Sequence, residues 1–135
     1  MSATYATPRT TSTFGLLGSG LAATAVACVA TAAVAAAGNA AGISLELGGQ
    51  AVPLGGFATL TAIFSVLGLV IAATQARFAG HPRRAFVSTT VVLTALSLVP
   101  DVLVDAATST KALFMLTHLV AAAIVIPAVA RKLAA

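Results

Sequence analysis

The chain has 135 residues, of which 59% are hydrophobic and only 7% charged, with a formal net charge of +4. Globular domains carry about 25% charged residues, so this chain cannot clothe a soluble surface, and its seven basic residues are too dispersed to form a patch for nucleic acid. A mean hydropathy of +1.06 points to one integral membrane domain, and the single cysteine, Cys28, excludes an intramolecular disulfide.

Residues 1–13, MSATYATPRTTST, are polar, carry Arg9 and read as a flexible cytoplasmic tail. The apolar run 14–38 holds no charge and is long enough to cross a hydrocarbon core of about 30 Å at about 1.5 Å per residue. Its alanine content makes it a weak inserter. Arg9 before it and AVAAAGNA at its end also fit a secretory signal peptide, although the run exceeds a usual signal-peptide core, which favours a retained span. Gly20, Thr24, Cys28, Ala32 and Ala36 recur every four residues. Such a small-residue face lets another helix approach closely. It must be covered by protein, in the bundle or in an oligomer, with Cys28 as a packing residue.

Between residues 38 and 56, Ile43, Leu45 and Leu47 alternate with Ser44 and Glu46, and Gly48-Gly49 follows. That is strand periodicity closed by a turn. Residues 50–54 are the expected return strand, giving a small hairpin over the outer end of the bundle, with a short interfacial segment as the alternative. Further apolar runs cover 57–76, 85–103 and 112–130. Four spans with short loops make an up-down, all-α membrane bundle.

Charge sets the expected orientation. Arg9, Arg77, Arg83, Arg84, Arg131 and Lys132 fall on one side, and Lys111 alone falls on the other. The positive-inside rule then places both termini in the cytoplasm. Arg77, Arg83, Arg84, Arg131 and Lys132 are expected to anchor among lipid headgroups, with membrane lipids as partners. His81 lies in the same basic turn, beside Gly80 and Pro82.

The third run carries the sharper pattern. Thr90, Thr94, Ser97 and Asp101 are spaced by four, three and four residues and share one helix face. Pro100 should kink or end that helix. His118 lies in the middle of the fourth run, beside Thr117. With the intervening turn centred near residues 107–108, His118 is level with Ser97, and Asp101 lies about four residues away in depth, roughly 6 Å at about 1.5 Å per residue. On that register His118 joins Thr117, Ser97 and Thr94 in a polar seam and does not touch Asp101. Asp101 and Asp105 instead pair with Lys111 near the outer surface. Intramembrane ionisable groups are functional candidates by default, but a histidine that merely holds two helices together is the blander expectation.

Phosphate loops, nucleophile elbows and metal-spaced clusters do not occur. The expectation is a non-enzymatic protein with no cofactor and no metal. The stretches LTALSLVPD and THLVAAAIVIPAVARKLA, together with AVPLGGFATLT, resemble a family of small four-helix membrane proteins of unknown function. The resemblance runs from about residue 14 onward and is carried chiefly by Pro100-Asp101 and Thr117-His118. It implies a membrane protein of a high-GC Gram-positive bacterium, in the plasma membrane, and it implies no activity. Two roles are compatible with these features. One is helix–helix association, in a homo-oligomer or with a membrane-protein partner. The other is a small transporter, channel or lipophilic-ligand binder that uses the polar seam.

Overall fold

The computed structural model describes residues 10–135, so the reading of the tail lies outside the described residues up to position 9. Four helices follow: α1 (Thr13–Ala40), α2 (Leu54–Phe78), α3 (Pro82–Leu103) and α4 (Thr108–Ala130). Each is long and apolar enough to cross a membrane. They extend the apolar runs by zero to four residues at each end, because polar and small residues can complete a helix beyond the hydrophobic stretch.

α1 starts where Ser12 accepts a hydrogen bond from the Gly15 amide at 3.3 Å. Its small face packs along α2 and α4. Gly20 and Gly38 sit where an added Cβ would overlap the side chains of Leu69 and Leu113. Thr31 and Thr61 share a hydrogen bond of 2.9 Å, and the Cys28 thiol donates to the Ala58 carbonyl at 3.3 Å. The small-residue face that suggested an oligomer is therefore covered by the chain's own helices.

α2 ends at Phe78, and after three intervening residues α3 opens on Pro82, whose fixed φ and missing N–H suit a first helical turn. The main core lies at this basic end, around Leu16, Leu69, Phe86 and Val129. Gln75 donates to Thr89 at 3.0 Å, the one side-chain hydrogen bond between α2 and α3 among the described residues. Arg83 donates to the carbonyls of Ala130 and Leu133 at 2.9 and 3.2 Å. It clasps the end of α4, where carbonyls lack helical partners, and so is half-buried and not a free headgroup anchor. Arg77, Arg84, Arg131 and Lys132 are exposed.

At the opposite end β1 (Glu46–Leu47) pairs antiparallel with β2 (Gln50–Ala51), Glu46 opposite Ala51 and Leu47 opposite Gln50. The turn needs positive φ at two successive residues, and Gly48 (55°) and Gly49 (78°) supply it. The return strand stops at Ala51, short of the expected residue 54, because Pro53 caps α2 and Leu54 begins it. Leu45, Leu47 and Val52 rest on a second core of Ala35, Phe57 and Phe114. Thr110 donates to the Ser44 carbonyl at 2.7 Å, and the Gly48 amide donates to the Asp105 carbonyl at 2.9 Å. The hairpin is thus tied both to α4 and to the α3–α4 connection.

Candidate intramembrane site

The third helix does not descend in step with the fourth. Arg83 sets the base of α3 opposite residues 130–133. Counting up from there, Asp101 falls within a few residues of His118, and α4 continues well beyond the end of α3. The connection leaves the helical path at both ends, with ψ of 148° at Val104 and 147° at Ala107, and bends over residues 104–106.

Asp101, the third residue from the end of α3, is turned into the bundle and not out toward Lys111. Its Oδ2 is 2.6 Å from His118 Nδ1. Side chains tilt toward the N-terminus of their own helix. In an antiparallel hairpin those tilts converge, so the carboxylate reaches down and the imidazole reaches up. Asp101 is 7% exposed in its side chain and His118 is 37% exposed. The expectation that the two cannot meet is corrected by this register.

Two further expectations change with it. Lys111 pairs with neither carboxylate: its Nζ donates to the Val102 carbonyl at 2.9 Å, capping the exposed end of α3, while Asp105 is exposed. The seam hydroxyls do not join His118 in an interhelical network. Thr90, Thr94 and Ser97 donate to the carbonyls of Phe86, Thr90 and Thr94, and Thr117 donates to that of Phe114. A hydroxyl in an apolar helix finds its own backbone at closer range than a neighbour's side chain.

All six seam residues, Thr90, Thr94, Ser97, Asp101, Thr117 and His118, line one cavity of about 640 Å³ between α2, α3 and α4. The hairpin residues Leu47 and Val52 roof it, and Phe86 and Val125 close the base. The cavity opens sideways between α2 and α3, where its lining residues Phe64 (63% exposed) and Leu96 (58%) face outward. The Gln75–Thr89 contact ties these two helices near the basic end. Gly68, on the α2 wall, has no neighbouring atom within 4 Å of where a Cβ would stand.

Sequence reasoning missed Ser65. It is 6% exposed and lines the cavity from α2, and its hydroxyl has no hydrogen-bond partner among the described residues. It is the only serine in the second apolar run, which also holds Thr59, Thr61, Thr74 and Gln75. The Phe57–Phe114 contact, with ring centroids 4.8 Å apart, registers the parallel helices α2 and α4. Ser65 then lies about one helical turn below His118, roughly 6 Å at about 1.5 Å per residue. Among the described residues no three His, Cys, Asp or Glu side chains converge, so a metal ion would find at most the two groups of the pair.

A bundle of four helices, each long and apolar enough to cross a bilayer, is a small multi-pass membrane protein. The chain belongs to a family of unknown function (DUF6069), which it matches over residues 11–135. No curated protein and no solved structure matches it.

Proposed function

We propose that this protein binds a lipophilic molecule taken sideways from the bilayer into the cavity between α2, α3 and α4. The observation that carries this reading is the cavity itself: about 640 Å³, mainly apolar, open at its side, and furnished with one carboxylate–imidazole pair whose carboxylate is buried. Ligand pockets of such size and composition, with few polar groups, are typical of small-molecule sites. The small residues Gly20, Thr24 and Ala27 of α1 are used within the bundle, so they give no separate reason for an oligomer. The role is binding and not catalysis, because the hydroxyls beside the pair are engaged by their own helices. The distribution of basic residues supports cytoplasmic termini in a bacterial plasma membrane.

Gly68→Phe fills the cavity from a position where the added side chain meets open space. Native mass spectrometry of protein extracted gently from its own membrane should show a lipophilic adduct of defined mass on the wild type and none on Gly68→Phe. A bare wild-type protein, or the same adduct on both, overturns the reading.

A further inference from the structure

The polar groups of this cavity have an arrangement that narrows its ligand. The two that lack a committed partner lie at the middle of their helices, not at the ends. His118 is the eleventh residue of the 23-residue α4, and Ser65 is the twelfth of the 25-residue α2. Lipids with charged heads stay at the interface, and the cavity offers such heads no counter-ion. No Lys or Arg lines it, and Lys111 is held on the Val102 carbonyl. The occupant is therefore neutral, with polar atoms that enter the hydrocarbon interior.

The two walls present complementary chemistry. In a neutral imidazole whose Nδ1 hydrogen faces an accepting Asp101 oxygen, Nε2 is left with a lone pair. Nε2 has no protein partner among the described residues. Across the cavity, the Ser65 hydroxyl is also without a partner, is nine-tenths buried, and can donate or accept. A ligand that satisfies both needs a hydrogen-bond donor at one end of a compact apolar core and a second oxygen at the other.

Resting on the cavity reading, we infer that the occupant is a prenyl or alkyl quinol. One ring hydroxyl donates to His118 Nε2, the opposite ring oxygen bonds Ser65, and the tail leaves through the opening between α2 and α3. The oxidised quinone presents a carbonyl to the Nε2 lone pair and binds more weakly. Asp101 acts as a positioning residue, since it determines which ring nitrogen carries the hydrogen.

The test is a native mass spectrometry titration, under argon, of the delipidated full chain with three probes that share one tail. These are a decyl-substituted 1,4-benzoquinol, the matching quinone and the dimethyl ether of the quinol. A hydrogen bond worth about 1 kcal/mol corresponds to roughly fivefold in affinity. The quinol should bind at least about fivefold tighter than either other probe. His118→Leu should remove that preference, and Ser65→Ala should weaken both the quinol and the quinone. Equal binding of quinol and ether by the wild type, with Gly68→Phe still excluding both, overturns the quinol and leaves the cavity reading standing. If no probe is retained by the wild type, the quinol proposal falls, and the native adduct alone then judges the cavity. Should His118→Leu fail to fold, Ser65→Ala still decides, because its hydroxyl holds no protein group in place.

Discussion

Asp101 stands third from the end of α3, where a lone buried carboxylate would cost several kcal/mol. His118 is what makes the position tolerable, and the relation is mutual: each ring or carboxylate alone would be a polar group stranded in an apolar wall. The pair should therefore behave as one unit. A double-mutant cycle with Asp101→Asn and His118→Gln, read by reversible unfolding in micelles, should give a coupling of about 1–2 kcal/mol, at the upper end of interhelical hydrogen bonds in membrane proteins. Coupling near zero would mean that the contact does not form in the bilayer-solubilised protein. Ser65 is the opposite case. It is buried with an uncommitted hydroxyl, so removing that oxygen should hardly change stability.

Among the elements, α1 depends on closeness and α3 on its absence. Gly20 lies against Leu69, whereas Gly18, half a turn away, faces open space. Gly20→Val should lower stability by about 1–3 kcal/mol through overpacking, while Gly18→Val should stay within about 0.5 kcal/mol; equal effects would contradict the packing described. The existence of these elements was legible in the chain, since uninterrupted apolar runs and a Gly-Gly turn between alternating residues leave little choice. The stripe Thr90–Asp101 was legible too, because helical spacing alone puts those residues on one face. What could not be read was the height of α3 relative to α4. That depends on four residues from Val104 to Ala107, whose bent path no periodicity announces. A symmetric turn put Asp101 beside Lys111, and the actual connection brings it within reach of His118. Ser65 was overlooked for a different reason, as a single serine in a membrane helix has no pattern to betray it.

For the whole molecule, orientation follows from charge. Exposed Arg77, Arg84, Arg131 and Lys132 gather at one end, and the hairpin with Glu46 and Asp105 occupies the other. In a Cys28→Ala background, a cysteine at Gly49 should react in intact cells with a membrane-impermeant maleimide, and one at Ala135 should react only after lysis. The reverse pattern would place the hairpin in the cytoplasm.

The contact of α1 with α4 has a consequence for how the protein is made. The first helix is poor in strongly inserting side chains, and half of its packed surface is supplied by a helix some seventy residues further along the chain. During synthesis α1 must therefore wait in the membrane, or beside the insertion machinery, with its small-residue face bare until α4 emerges. A ribosome stalled before residue 108 would leave an incomplete bundle of the kind that membrane proteases and chaperones recognise, so the joining of α1 to α4 doubles as a checkpoint on biogenesis.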